Sequence, residues 1–213
     1  MPSNNHYALV KSEPAIKRIF DVFLAIIGLV LSSPLWVIFT LLIYIEDRGP
    51  IFFTQRRCGI RGKSIYVIKF RSMVYKKNME NELLDIAHDP RVTRIGRILR
   101  TTSMDELPTL ITILKGDMSF VGPKPLPFEI GSNEKLKYTD ITKVPGYYNR
   151  SQVKPGLTGI AQVYASKSTN RRAKFHYDYL YIKNWSFILD IKLILLSFII
   201  AFKGRWESRV KKL

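Results

Sequence analysis

The sequence predicts an α/β, helix-rich, membrane-associated protein. It has an N-terminal re-entrant helix that is bent and does not span, amphipathic interfacial helices and a few short strands. Three observations predict this. Residues 22–45 form an apolar run with no formal charge. The chain carries a formal net charge of +17 at pH 7, with basic residues on both sides of that run. Strand-like stretches are short and lie between longer helical patterns.

In chain order, residues 1–16 read as a polar tail, 17–48 as the re-entrant helix, 49–186 as the main domain and 187–213 as an interfacial helix with a basic tail. The apolar run is about 24 residues, or roughly 36 Å of helix, enough by length to cross a bilayer. Two features argue against a plain span. Pro34, after Ser32 and Ser33, has no N–H and its ring clashes with the carbonyl of Val30, so a kink or break is expected there, with the serine hydroxyls serving the freed carbonyls. Lys17 and Arg18 precede the run, and Arg48, Arg56, Arg57, Arg61 and Lys63 follow it. The positive-inside rule places both flanks on one side, which a helix bent at Ser33-Pro34 achieves. Asp21 lies one helical turn from Lys17 and Arg18 and is expected to pair with either. The late, long apolar run does not read as a secretory signal.

Residues 51–54 and 64–70 read as strands around a turn at Gly59-Ile60-Arg61-Gly62. Residues 78–88 suggest a polar helix or loop. Residues 93–100 suggest an amphipathic helix, with Ile95, Ile98 and Leu99 on one face and Arg91, Arg94, Arg97 and Arg100 recurring on the other. That basic face reads either as a solvated surface or as a phosphate contact. Ser103 to Pro108 opens a helix expected to run to about Lys115 and stop at Gly116, with Ser103 and Glu106 at capping-box spacing or Asp105 as the cap. Gly122-Pro123-Lys124-Pro125 is a rigid loop. Residues 154–159 make a tight turn leading to a short strand through Val163. Residues 174–183 carry an aromatic cluster. Residues 187–202 are apolar but short for a span, and suit a helix lying in the interface.

Most familiar chemistries are missing from the sequence. No glycine-rich loop has dinucleotide or P-loop spacing, no His/Cys cluster suggests zinc, and the histidines are scattered. The single cysteine, Cys58, cannot form an intramolecular disulfide and fits a reducing compartment or a fold that does not depend on disulfides. What remains is Asp105-Glu106. Adjacent acids in a first helical turn commonly just complement the helix dipole. The alternative is a carboxylate nucleophile or a Mg²⁺ ligand beside a phosphoryl substrate, whose oxygens the many cations would surround.

At these residues the sequence resembles the small monotopic phosphoglycosyl transferases, the bacterial sugar transferase family, over about residues 17–203. The resemblance rests on Lys17-Arg18-Ile19-Phe20-Asp21, the Ser33-Pro34 break, Phe53-Thr54-Gln55-Arg56 and Lys69-Phe70-Arg71-Ser72-Met73. It continues through residues 100–108, 114–123 and 155–159, then Ala161-Gln162-Val163 and Asp178-Tyr179. It implies transfer of a sugar-1-phosphate from a UDP-sugar to a polyprenyl (undecaprenyl) phosphate, with release of UMP, assisted by Mg²⁺. It implies Asp105 as nucleophile and metal ligand, forming a phosphosugar-aspartyl intermediate, with Glu106 as its partner. Lys69, Arg71, Arg100 and Asp178 match further polar positions around the site, and Pro123, Lys124 and Pro125 a loop associated with the nucleotide. It implies the bacterial inner membrane, with the site on the cytoplasmic face, and a first membrane step in glycoconjugate synthesis such as exopolysaccharide or lipopolysaccharide.

Two positions depart from the resembled pattern. Lys124 stands where the family usually has arginine, and Tyr164-Ala165-Ser166 replaces a usual Asn-Gly-Arg; both bear on donor specificity. A homo-oligomer is compatible with the sequence. The rival reading is a non-catalytic basic anchor that recruits partners to anionic lipid. It explains the charge and the apolar helices but not the setting of Asp105-Glu106. Nucleic-acid binding would explain the charge alone, so no nucleic-acid partner is expected.

Overall fold

A computed structural model describes residues 13–75, 90–131, 138–166 and 169–203. The expected element at 78–88 lies outside the described residues.

Helix α1 (Ala15–Asp47) has 33 residues and is about 50 Å long at 1.5 Å per residue. It continues without interruption through Pro34. Ser33 Oγ donates to the carbonyl of Val30 at 2.8 Å, the acceptor that Pro34 cannot reach. Ser32 Oγ accepts from Trp36 Nε1 at 3.1 Å. The serines therefore do what the sequence predicts, while the helix itself does not stop.

One stripe of α1 is buried: Lys17, Asp21, Ala25, Ser32 and Ile43. Its opposite face stays exposed and apolar, with Phe23, Ile26, Val30, Leu31, Val37, Leu41 and Ile45. By length and composition the helix could cross a membrane. Yet the buried stripe meets the rest of the chain along its length. Phe20 and Leu24 pack on one buried cluster, Ala25 and Leu29 belong with a second, and Trp36, Phe39 and Ile43 with a third.

Strands β1 (Phe52–Cys58) and β2 (Ser64–Phe70) form an antiparallel hairpin. The first strand runs four residues further than its sequence suggests. Arg56 and Arg57 interrupt the apolar pattern, but cross-strand pairing carries them. Helix α2 (Arg94–Thr102) begins at Thr93, whose hydroxyl accepts from the Gly96 N–H. Its next free N–H groups are taken by α1: Glu46 accepts from Arg94 N at 2.7 Å and from Ile95 N at 3.1 Å.

The segment after α2 corrects the capping expectation. Ser103 takes a left-handed conformation, φ 60°, that ends α2. A single 3₁₀ turn, Met104–Glu106, follows, and helix α3 (Thr109–Lys115) starts only after Pro108. Neither Ser103 nor Asp105 caps α3, because the chain reverses first and the Glu106 side chain is drawn to Lys69. Helix α3 ends at Gly116, φ 91°, as the sequence predicts.

Beyond α3 come β3 (Ser119–Val121), the short pair β4 (Glu129–Gly131) and β5 (Tyr138–Asp140), and helix α4 (Tyr147–Arg150). Strand β6 (Gly156–Thr158) pairs in parallel with β3. Gly156 lets these backbones close: a Cβ there would sit 2.0 Å from Gly122 N. The strand lies within the expected turn, and residues after it form helix α5 (Ile160–Tyr164) instead of the expected strand. Two further helices follow, α6 (Arg171–Lys183) and α7 (Phe187–Phe202). On α7, Ile188, Leu195, Phe198 and Phe202 are exposed.

Asp21 also departs from expectation. It accepts from Phe120 N at 3.0 Å, while Lys17 and Arg18 are used elsewhere. Lys17 Nζ reaches Asp190 Oδ2 at 2.6 Å, the carbonyl of Val121 at 3.1 Å and Tyr181 Oη at 3.3 Å. Arg18 donates to the carbonyls of Ile113 and Leu114 at 2.6 and 2.7 Å, closing the C-terminus of α3.

Candidate active site

Lys69 stands near the end of β2 and Glu106 in the 3₁₀ turn, with Lys69 Nζ 2.5 Å from Glu106 Oε1. Asp105 shares that turn and is half-buried. The hairpin and the turn are held in register by α3. Thr109 Oγ1 donates to the carbonyl of Ile68 at 3.0 Å and Thr112 Oγ1 to that of Tyr66 at 3.4 Å. The helix that follows the two acids is thus hydrogen-bonded to the strand that carries Lys69.

The pair borders a cleft of about 350 Å³ lined by Arg57, Lys69, Glu106, Lys124, Pro125 and Leu157, among others. Burial opposes charge on both partners, and the field of the neighbours overrides it. Glu106 and Asp105 hold the Lys69 ammonium above its ordinary range. Lys69, Lys124 and Arg57 hold the Glu106 carboxyl below its own. Burial lowers the Arg57 guanidinium to about 10 against the pull of Glu106, so it too is charged near neutrality.

Across the Pro123-Lys124-Pro125 loop lies a second hollow of about 230 Å³, lined by Cys58, Pro123, Lys124, Tyr147 and Arg150. The loop is anchored from behind. Arg150 Nη2 donates to the Lys124 carbonyl at 2.7 Å, and its Nε to Asp178 Oδ2 at 2.8 Å. The same guanidinium lies 4.7 Å over the Phe175 ring. Asp178 is buried and lines neither hollow. Its route to the site runs through Arg150.

The structure sorts the expected site residues into groups. Lys69, Glu106, Lys124 and Pro125 meet at the larger cleft, beside Asp105. Pro123 faces the smaller hollow. Arg100 lies in the last turn of α2 and is half-buried; its carbonyl accepts from Ser103 N. Arg71 lines neither hollow. It is buried beside Asp47 at 3.2 Å, tying the end of α1 to the end of the hairpin. Ser33 and Pro34 serve α1 alone. Tyr164 is exposed at the end of α5, and Tyr164, Ala165 and Ser166 line neither hollow, with Ser166 bonded to Thr169.

Two conjoined acids, a lysine on one of them and a surplus of cations in one cleft have the chemistry that a phosphorylated ligand would need. The Bacterial sugar transferase family matches residues 12–204. The chain belongs to the bacterial sugar transferase family. A UDP-glucose:undecaprenyl-phosphate glucose-1-phosphate transferase of Klebsiella pneumoniae is 37% identical over 193 residues, 88% of this chain and 40% of the relative. A UDP-N-acetylgalactosamine-undecaprenyl-phosphate N-acetylgalactosaminephosphotransferase of Aeromonas hydrophila is 37% identical over 184 residues, 84% of this chain and 42% of the relative. The exopolysaccharide production protein PSS of Rhizobium leguminosarum bv. phaseoli is 37% identical over 191 residues, 84% of this chain and 91% of the relative. The chain thus spans about two fifths of the first two relatives and most of the third.

In this sugar transferase the sequence reading missed Arg57 and Arg150. The signal for Arg57 was hairpin register: had β1 been carried past Thr54, alternation would have put Arg57 on the Lys69 face. Arg150 has no such local signal, since its partners Lys124 and Asp178 are distant in sequence. Among the described residues no cluster of three or more His, Cys, Asp or Glu side chains forms a ready metal cage. The donor set of Asp105 and Glu106 instead fits a Mg²⁺ ion held by one or two carboxylates, with substrate phosphates and water completing the shell.

Proposed function

We propose that this sugar transferase moves a sugar-1-phosphate from a UDP-sugar to a polyprenyl phosphate, giving polyprenyl diphosphate-sugar and UMP. The observation that carries the reading is Asp105-Glu106 beside Lys69, in a cleft whose cations outnumber its carboxylates. The activities of the relatives agree with it.

An Asp105 carboxylate oxygen attacks the sugar-bearing phosphorus. The new O–P bond forms as the bond to the bridging oxygen breaks, and that oxygen leaves with its electron pair on UMP. An oxygen of the polyprenyl phosphate then attacks the same phosphorus and frees the Asp105 carboxylate. A covalent intermediate lets a water-soluble donor and a lipid acceptor use one site in turn. Lys69 and Lys124 balance charge on the transferred group, and Glu106 holds Lys69 in place. When bound, Mg²⁺ would neutralise charge on the diphosphate, with Asp105 as the principal protein ligand and Glu106 beside it.

We read α1 as re-entrant at a bilayer surface. Its inward stripe packs on the rest of the chain from Phe20 to Ile43, leaving no stretch long enough to cross a bilayer out of contact with the catalytic elements. Its outward face, with that of α7, supplies apolar surface for lipid. The inner membrane, with the site facing the cytoplasm, follows from the basic residues flanking α1.

Asp105→Asn should lower turnover by at least about a thousandfold, because the amide is not a nucleophile. Wild type given donor alone should gain the mass of a phosphosugar on Asp105. Turnover near wild type in Asp105→Asn would sink the covalent route, and absence of UMP release from any UDP-sugar would favour the anchor reading.

A further inference from the structure

The floor of the larger cleft is a ladder with two unlike ends. In the hairpin, Phe53 pairs with Lys69, Gln55 with Val67 and Arg57 with Ile65. Opposed residues of an antiparallel pair share a face, so Gln55 and Arg57 lie on the face that carries Lys69. Arg57, Val67 and Lys69 all line the cleft. Four residues separate Phe53 from Arg57, so roughly 13 Å of strand lies between the Lys69 rung and the Arg57 rung.

The Lys69 end is apolar at its surface. Phe53, opposite Lys69 on the same face, is 39% exposed; on the other face of this end Phe52, 44% exposed, stacks on Phe70 while both rings meet Trp36 of α1. The Arg57 end is surrounded by exposed charge, with Arg56, Arg61 and Lys63 all open to water. A lipid-borne ligand fits the first end and a water-soluble one the second.

The charge in the cleft is also uneven. Arg57, Lys69 and Lys124 face one lining carboxylate, Glu106, and Lys69 is engaged by it at 2.5 Å. Arg57 has no carboxylate within ion-pair distance among the described residues. One arm, Nη2, donates to Gln55 Oε1, which orients the guanidinium. A guanidinium presents five donors in a planar fork, the shape that grips two oxygens of one phosphate.

We infer that Arg57, oriented by Gln55, binds the phosphate that departs with the nucleoside, so that donor and lipid acceptor approach the reacting phosphorus from opposite ends of the hairpin. The inference rests on the proposed function and adds to it a residue and a direction. Arg57 is a substrate-binding residue here and Gln55 a positioning residue.

The test uses the full chain in detergent micelles or nanodiscs, with Arg57→Lys and Arg57→Ala beside wild type. UMP binding is measured by calorimetry. Steady-state rates are measured by varying a UDP-sugar at saturating polyprenyl phosphate, and the reverse. Arg57→Lys should weaken UMP binding and raise the donor KM about tenfold, and Arg57→Ala up to about a hundredfold. The KM for polyprenyl phosphate should stay within about twofold. UMP affinity unchanged in Arg57→Lys, or acceptor KM rising in step with donor KM, would overturn the inference. Lysine keeps the charge and bulk, so this variant reads the fork even if alanine fails to fold. If wild type releases UMP from no UDP-sugar, the proposed function falls; if it does and Arg57→Lys binds UMP as wild type does, the inference alone falls.

Discussion

Two lysine–carboxylate pairs in this chain share a geometry and differ in their surroundings. Lys17 meets Asp190 at 2.6 Å, and Lys69 meets Glu106 at 2.5 Å. In the first, the side chains are 8% and 2% exposed. Asp190 also accepts from Tyr181 Oη at 2.8 Å and Trp185 Nε1 at 3.1 Å, and Lys17 has three acceptors for its three protons. In the second, the exposures are 25% and 16%, and the pair opens on a cleft holding two further cations. The first pair is closed by its own fold and joins α1, β3, α6 and α7. The second has capacity left for a ligand. What separates the closed ion pair from the open one here is the satisfaction of the remaining donors and acceptors.

The comparison is broken most severely by removing each lysine in turn. Lys17→Met strands a buried Asp190 and should cost about 3–5 kcal/mol, seen as loss of folded protein in thermal unfolding in detergent. Lys69→Met should cost far less stability, because water reaches Glu106 through the cleft. It should still lower turnover about a hundredfold or more. Equal losses of stability in the two variants would erase the distinction.

The pH dependence of the second pair follows from its two shifts. Glu106 is depressed from an ordinary 4.5, so its contribution is present above that value and is lost as pH falls through the lower folded-state value. Lys69 is raised from 10.5, so its contribution is present below that value and is lost as pH rises through the higher one. The stability gap between wild type and Glu106→Gln should therefore stay flat between these limits and close outside them. A gap that closes while the pH is still above 4.5 would contradict the assignment.

A finer test separates the two departures from the family pattern. Lys124 lines both hollows, whereas Ser166 lines neither. Lys124→Arg should change kcat/KM unequally across UDP-sugars, by about threefold to tenfold. Ser166→Arg should leave the ranking as it is. A shift from Ser166→Arg alone would show that the segment after α5 reads the donor.

The smallest effect concerns Ser103, whose left-handed backbone sets the turn holding Asp105 and Glu106. Among the described residues its buried hydroxyl has no hydrogen-bond partner. Ser103→Gly relieves both and should stabilise the fold by about 1 kcal/mol, a rise of about 2–4 °C in Tm. A fall in Tm would mean that the hydroxyl is served after all.

Where the pattern was local, the sequence was legible. The apolar run, the arginine-faced helix α2, the stop at Gly116 and the extent of α7 follow from periodicity and caps, and Asp105-Glu106 stood out by context. What it hid were partners separated by long stretches of chain. Asp21 reads as a partner of Lys17 or Arg18 until α3, β3 and α7 supply better ones. Ser103 reads as a cap until Glu106 finds Lys69, 37 positions away. Asp178 stands among the site positions by resemblance, yet its contact to the loop passes through Arg150. Residues after β6 read as a strand, but packing against α6 and α7 makes them a helix.

The first helix takes part in three of the four buried clusters, and its far end supplies the carboxylate that starts α2. A helix held in this way is not interchangeable. Deleting residues 15–47, or grafting a generic span in their place, would leave three cores without a wall and α2 without its first acceptor. Chimeras that trade donor specificity among relatives would have to carry this helix with the body it was shaped against. Water-soluble versions would have to come from repainting its outer face while keeping Ala25, Trp36 and Ile43 as they are.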